Sequence, residues 1–301
     1  MPNTNSLVTV ICSCYNHSKY IEESLDSVIN QTYKNIQLII IDDCSDDNSV
    51  EVIENWISKN QIGLFKKNNK NLGLTKSFNK SFKYVEGDFF IDLAADDILL
   101  PHCIETQISV YSPYPNNLIG IVYGNARVID NNNNTLYTYY TRFSQSKKTT
   151  KPEDGFIYKE ILNQSNIICS VSALINKNIF EELGGYDEHL VYEDYDIWLR
   201  IARKYYILYA DDILVKKRKL NTSLGSTTPF LRFNKKTLKF KYATYCIVKK
   251  TFKMNLNKKE DLASIKKIYI EIKKNLKNLN ILLILKYYIL LLKFKFKKFK
   301  I

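Results

Sequence analysis

Residues 8–49, VTVICSCYNHSKYIEESLDSVINQTYKNIQLIIIDDCSDDNS, place a helix-spaced stretch between two apolar runs. Leu7–Cys12 is short and rich in β-branched residues, which suits a strand. From Ser18 to Asn30, the residues Ile21, Leu25, Val28 and Ile29 recur at helical spacing. Ile36–Ile41 is almost unbroken apolar, the pattern of a strand buried on both faces of a parallel sheet. Strand, helix and strand in this order make a βαβ unit with a right-handed crossover.

The alternation continues outward. Val50, Ile53 and Ile57 predict a helix over Ser49–Ile57, and Ile62–Phe65 a weaker strand. Phe78, Phe82 and Val85 mark another helix, and Asp88–Leu93 another strand. Beyond that, Pro101–Tyr111 reads as a helix, Ile119–Tyr123 and Val128–Ile129 as strands, and Asn131–Asn134 as a turn. Cys169–Ile175 reads as a strand and Glu193–Lys204 as a helix turning Ile197, Trp198 and Ile201 inward. Tyr206–Tyr209 is expected to be the last strand. The fold class is α/β, a mixed, mostly parallel sheet flanked by helices and followed by a helical, basic C-terminal extension.

Charge separates that extension from the body. The chain has 301 residues and a net charge of +13, yet Leu231–Ile301 holds 21 Lys and Arg against three Asp and Glu. The preceding 230 residues are therefore mildly acidic. Nucleic-acid binding calls for basic residues on a folded face, whereas these lie among long apolar side chains, so no nucleic-acid partner is expected. Leu279–Leu292 is strongly apolar but interrupted by Lys286, and is followed by KFKFKKFK (residues 293–300). Fourteen residues are too few to cross a bilayer, which takes about 20. An interfacial helix on an anionic membrane surface fits the composition; a helix packed on the core with a solvated basic tip is the alternative. The six cysteines show no CxxC pairing, and Met1–Ser6 no cleavable leader, which together predict reduced thiols in a cytoplasmic protein, peripheral on the inner face of the membrane.

Sheets of this kind bind ligands beyond the carboxyl ends of their strands. Asp42 and Asp43 follow the second strand, and Asp96 and Asp97 the fourth, so both pairs fall on one rim. Two adjacent carboxylates repel each other unless a cation is present, and Mg²⁺ is commonly held by one or two carboxylates plus substrate phosphates. Glu193-Asp194 opens a helix in the other half, where an aspartate could take a proton from an attacking hydroxyl. Each pair alone also suits turn and capping chemistry: Asp96-Asp97 ahead of Leu99, Leu100 and Pro101, Asp42-Asp43 in DDCSDDNS, and Glu193-Asp194 at a positive helix end.

Three motifs in order carry a resemblance that the pairs alone do not. The opening stretch quoted above, NLGLTKSFNKSFKYVEGDFFIDLAADD (71–97) and GGYDEHLVYEDYDIWLRIARKY (184–205) resemble the family 2 glycosyltransferases of GT-A fold. The likeness runs from about Val8 to Asp212. It implies an inverting enzyme that uses a nucleotide-sugar donor, UDP-linked in the commonest case, and a divalent metal, Mg²⁺ or Mn²⁺. Residues 1–105 would be the nucleotide-sugar-binding half, 106–220 the acceptor-side half of the same domain, and 221–301 the membrane-associating region. Asp43 would contact the nucleobase with Asp42 supporting its loop, and Tyr15 and Asn71 would line the donor pocket. Asp96 would lie near ribose and diphosphate, Asp97 would bind the metal, and Asp194 would be the base with Glu193 beside it. Trp198 and Arg200 share the helix of the base; Trp198 is expected to reach substrate.

Two departures from the family pattern stand out. Ala94 replaces an Asp often found two residues before the carboxylate pair, and Phe78 replaces a basic residue often found before the Asn79 position, with Lys76 nearby. A nucleotidyltransferase is the main competing enzyme, but CSCYNHS lacks the Gly- and basic-rich loop such enzymes place after the first strand. A non-catalytic sugar-nucleotide-binding module would not need Glu193-Asp194, and a purely membrane-binding protein would leave the acidic rim without a purpose. The expected acceptor is a glycan or lipid-linked hydroxyl in polysaccharide, lipopolysaccharide or capsule synthesis.

Overall fold

The computed structural model describes residues 5–115, 117–140, 154–164, 167–220 and 235–297. The alternation seen in the first hundred residues builds four parallel strands. β1 (Val8–Cys14) lies between β2 (Ile36–Asp42) and β4 (Phe89–Ala94), with β3 (Leu64–Lys67) outside β2. All three pairings are parallel, and the register sets Cys14 beside Asp42 and Ser13 beside Ala94. The loops leaving β1, β2 and β4 therefore open on the same edge.

The second half extends this sheet across β4. β8 (Ala173–Asn176) runs antiparallel to β4 and to β6 (Ile119–Ile129). β9 (Tyr206–Arg218) runs parallel to β6, the two-residue β5 (Ile98–Leu99) pairs with β9, and β7 (Thr135–Thr138) forms a hairpin with β6. Here the structure corrects the sequence expectations. Ile119–Tyr123 and Val128–Ile129 are one strand, and the run from Cys169 begins with a 3₁₀ turn at Ser170–Ser172 before β8. The last strand continues nine residues beyond Tyr209. That continuation, KK and R included, gains its strand partners from β6 and β5 rather than from its own apolar pattern.

Side chains alternate across the sheet into two apolar layers. Val8, Val10 and Cys12 face α1 (Ile21–Ile29), α2 (Ser49–Asn60) and α4 (Cys103–Tyr111). Ile11, Ile39 and Ile41 face α3 (Leu74–Phe82), α5 (Tyr158–Asn163), α6 (Lys177–Glu182) and α7 (Asp194–Ala202). Phe78, at the position where the family often has a basic residue, is fully buried and meets Phe82, Phe90, Phe180 and Tyr186 with centroids 4.7–6.2 Å apart. Removing so large a buried ring typically costs about 3–5 kcal/mol. Position 78 is therefore a packing position in this chain.

The basic C-terminal region forms α8 (Lys235–Met254), α9 (Lys258–Lys277) and α10 (Ile281–Lys295). Asn257 caps α9, its side chain accepting from Glu260 N while donating to the Glu260 carboxylate. Arg203 fixes α9 to the body through a two-pronged pair with Glu260 at 2.7 and 3.0 Å. Lys250 on α8 reaches Asp187 and Asp196 at 2.7 and 2.6 Å. α10 differs from the expected amphipathic helix because both of its faces are apolar. Leu283, Ile284, Tyr287, Leu290, Leu291 and Phe294 are buried in a cluster with α8 and α9, while Ile281, Leu282, Leu285, Ile289 and Leu292 are exposed. No described helix is long and apolar enough to cross a membrane. Residues 298–300 of the basic run and Met1–Thr4 lie outside the described residues.

Candidate active site

Two loops at the carboxyl edge are tied to each other before they meet any ligand. Asn16 N donates to Ser45 Oγ at 2.9 Å, and Asn16 Oδ1 accepts from Asp46 N at 2.7 Å. Asn16 and Cys44 both adopt left-handed backbone (φ 58° and 65°), which is strained for cysteine and is tolerated where surrounding bonds determine the turn. Asp42 is wholly buried and accepts from Ser45 N and Ser45 Oγ, so its carboxylate braces the loop. Asp43 accepts from Asn68 Nδ2, Leu72 N and Gly73 N at 2.8–2.9 Å, which holds the Asn-x-Gly segment against β2. Gly73 (φ +81°) supplies the positive φ that aims this N–H at the carboxylate.

These loops border a cleft of about 2000 Å³. Tyr15, Asp43, Asn71, Asp96, Asp97, Glu193, Asp194 and Trp198 all contribute to its wall, whereas Asp42 stands behind it. Arg200 is engaged elsewhere. Its guanidinium pairs with Asp196 at 2.9 Å and donates to the Leu183 and Gly185 carbonyls, closing the turn before α7. Trp198, one turn beyond Asp194, is almost fully buried, and its Nε1–H has no partner among the described residues. A donor left unpaired at a cleft wall is what a ligand acceptor atom would satisfy.

Several groups that the sequence reading did not single out belong to the same cleft. Asp92, inside β4, is pushed up to about 7 by burial; the Tyr186 hydroxyl donates to it at 3.2 Å and opposes the rise, while the charge of Asp194 adds to it. A carboxylate among Ile91, Leu93 and Ala94 in a buried strand was the signal that could have revealed it. Asp97 is likewise pushed up to about 7, first by burial and then by Asp96, although its Oδ1 accepts from Arg218 N at 2.7 Å. Glu193 is raised well above the usual carboxylate range by burial and by Asp194. Asp194 is raised by burial, against the Tyr195 N–H and the charge of Lys217.

The longer β9 brings in two cations with opposite fates. Arg218 is buried and saturated: it donates to the Asp96 and Asp130 carbonyls, to Asn133 Oδ1 and to the Glu23 carboxylate, at 2.6–3.0 Å. Its neighbour Lys217 alternates to the cleft side of the strand. Burial alone would lower its ammonium, but the charges of Asp97, Cys169, Asp96 and Asp194 outweigh that and raise it. No hydrogen bond or ion pair reaches the Lys217 ammonium among the described residues. At this end the wall thus carries a carboxylate cluster with the Lys217 ammonium set beside it.

The donor set suits a divalent ion only in company with a ligand. Among the described residues, no group of three or more His, Cys, Asp or Glu side chains is disposed to hold a metal. Asp96 and Asp97 instead offer the one or two carboxylates that Mg²⁺ takes alongside phosphate oxygens and water. Burial and mutual repulsion hold Asp97 high, which is the strain a cation would relieve. The residues present fit the ion on those terms.

With this geometry in place, the comparisons are specific. The signature of Glycosyl transferase family 2 matches residues 9–184. An uncharacterized glycosyltransferase of Rickettsia typhi is 32% identical over 224 residues, 72% of this chain and 65% of that protein, so the chain spans slightly less than two thirds of this relative. The Escherichia coli UDP-Glc:alpha-D-GlcNAc-diphosphoundecaprenol beta-1,3-glucosyltransferase WfgD is 31% identical over 65% of this chain and 70% of its own length. Among solved structures, S. aureus TarS 1–349 with UDP-GlcNAc superposes with a TM-score of 0.66 at 17% identity, covering 90% of this chain and 73% of TarS. The Pyrobaculum calidifontis mannosyltransferase PcManGT, with GDP-Man and Mn²⁺, gives a TM-score of 0.56 at 14% identity, covering 99% of this chain and 90% of that chain. By its fold, its three ordered motifs and its sequence relatives, this chain belongs to glycosyl transferase family 2.

Proposed function

We propose that the chain is an inverting glycosyltransferase that moves a sugar from a nucleoside-diphosphate donor to a hydroxyl of a glycan or lipid-linked acceptor. The observation that carries this reading is the convergence on one cleft of Asp43 after β2, Asp96 and Asp97 after β4, and Asp194 at the start of α7. Tyr15, Asp43 and Asn71 border the nucleoside end, and Asp96 and Asp97 the diphosphate end. Asp97, with Asp96 beside it, would hold a divalent ion together with the phosphates, and such an ion would offset the charge of the departing diphosphate. The Lys217 ammonium acts on the same charge from the protein side.

Asp194 is the base. Its carboxyl, raised by burial, is poised nearer neutrality than an exposed aspartate, as a proton acceptor at physiological pH should be. The acceptor oxygen attacks the anomeric carbon, the bond to the diphosphate oxygen breaks with its electron pair, and the hydroxyl proton passes to Asp194. One displacement inverts the configuration at that carbon. The relationship to a UDP-glucose-dependent enzyme favours UDP as the nucleotide, and that enzyme's diphosphoundecaprenol-borne substrate supports a lipid-linked acceptor in envelope polysaccharide synthesis. The exposed apolar stripe of α10, flanked by Lys293 and Lys295, supports a peripheral position on an anionic membrane.

The test is nucleoside diphosphate release from a panel of UDP-, GDP-, CDP- and dTDP-sugars with membrane extract as acceptor. Asp194→Asn should retain nucleotide binding and lose about 10²–10⁴ in rate. Equal turnover by the variant and the wild type would remove Asp194 from the reaction.

A further inference from the structure

The cleft does not end at the base. It continues between α8 and α9, where Phe240, Lys241, Thr244, Lys267, Glu271 and Lys274 form its wall. The base segment is fastened to this arm. The Tyr192 hydroxyl and Thr244 Oγ1 are hydrogen-bonded at 2.8 Å, Tyr192 stacks on Phe240 at 4.3 Å, and the Lys267 ammonium lies 5.3 Å from the ring of Tyr195, next to Asp194.

The charge here is the reverse of the donor end. Three ammonium groups gather about one carboxylate: Glu271 lies 2.8 Å from Lys274 and 3.7 Å from Lys267, with Lys241 facing the same group. Lys277, one turn beyond Lys274, also contributes to the wall. Burial lowers both Lys241 and Lys267, and in each case Glu271 restores part of the loss while Lys274 adds to it. Lys267 is buried, Lys241 partly buried and Lys274 exposed, and cations held together with surplus charge are stabilised by an anion that bridges them. At the carboxylate end Lys217, with the divalent ion that Asp97 would hold, serves the diphosphate of the donor. The arm is therefore free for a second anion.

We propose that this lysine-lined arm binds a phosphate group carried by the acceptor, placing the acceptor hydroxyl before Asp194. The proposal rests on Asp194 as the base and narrows the acceptor to a phosphate-bearing one. A lipid-borne diphosphate and a phosphate on a polar glycan offer the same chemistry. Outside the wall of the arm, α9 and α10 expose Leu262, Tyr269, Ile270, Leu282, Leu285 and Ile289.

The experiment is calorimetry of inorganic pyrophosphate, in EDTA and low salt, on the full chain carrying Lys217→Gln so that the donor-end cation is absent. Adding Lys241→Gln and Lys274→Gln should weaken binding at least about tenfold, and Lys241→Arg with Lys274→Arg should restore it. Undetectable binding, or binding unchanged by the two glutamines, would overturn the proposal. Farnesyl diphosphate binding more tightly than pyrophosphate identifies a lipid carrier; equal affinity identifies a phosphate on a polar acceptor. UDP-sugar turnover, run in parallel on the otherwise wild-type chain, separates the two readings. Turnover with no lysine-dependent pyrophosphate binding removes the arm alone, while the lack of any turnover with lysine-dependent binding intact removes the transferase reading.

Discussion

The two sides of the cleft were built by different means. On the donor side, the loops after β1, β2 and β3 are held to one another by short polar residues, and Asp42 and Asp43 spend their hydrogen bonds on that bracing. Elsewhere in the cleft, the decisive groups come from far along the chain: Lys217 and Arg218 at the end of β9, which reach back to the diphosphate end, Asp194 at the start of α7, and lysines of α8 and α9. A local motif can thus be preorganised by its own turn, whereas the distal side depends on long-range clamps. Arg218 is the chief clamp, joining β9 to the Asp96 backbone, to the Asp130–Asn133 turn and to Glu23 on α1.

That contrast can be broken most directly at β9. Lys217→Gln should lower kcat by about 10²–10³, as removal of a single preorganised charge-stabilising donor does, with little loss of stability. The same change removes the charge that lowers Asp194, so the acid limb of the rate profile should move to higher pH. An unchanged profile with unchanged kcat would place Lys217 outside the reaction. Arg218→Met should instead destabilise the fold by about 3 kcal/mol, because buried carbonyls and a buried strand end lose their partner. Urea denaturation measures this, and a midpoint equal to wild type would mean that the distal side does not need the clamp.

A smaller effect sharpens the comparison through pH. Asp92 and Asp97 have folded-state values pushed up to about 7, above those of an unfolded aspartate. The native state therefore holds their protons more tightly, so their contribution to stability is fully present at low pH and is lost as pH rises from about 4 to about 7. Asp92→Asn should flatten that slope and stabilise the metal-free protein at pH 8 by about 1–2 kcal/mol relative to wild type. If denaturation midpoints at pH 5.5 and 8 changed equally in the variant and the wild type, the buried carboxylates would not be the cause. Activity should fall in Asp92→Asn even as stability rises, since the substitution alters the field around Asp194.

How much could be read beforehand follows the same division. Ile36–Ile41 and Leu7–Cys12 announced buried parallel strands because both of their faces are covered, and the acidic pairs fell at the ends of β2 and β4 by topology. The second half was less legible. β9 extends through Asp211, Asp212 and the KKR run because β6 and β5 offer pairing partners, a tertiary cause that leaves no local period. Asp92 looked like one polar residue in an apolar strand, and its meaning comes only from Asp194 on a distant helix. The C-terminal lysines read as a surface run because three-helix packing, rather than sequence spacing, turns Lys241, Lys267 and Lys274 toward one carboxylate. α10 similarly reads as apolar from its sequence, but only packing shows which half of it remains exposed.

The carboxylate end of the cleft should act as a metal-assisted nucleoside-diphosphate site. Calorimetry of UDP, GDP, CDP and dTDP with and without Mn²⁺, on wild type and Asp97→Ala, measures this. Metal-dependent binding of one nucleotide, UDP foremost, is expected, abolished in Asp97→Ala while the fold is retained. A folded wild-type protein that binds none of the four in the presence of Mn²⁺ would contradict it.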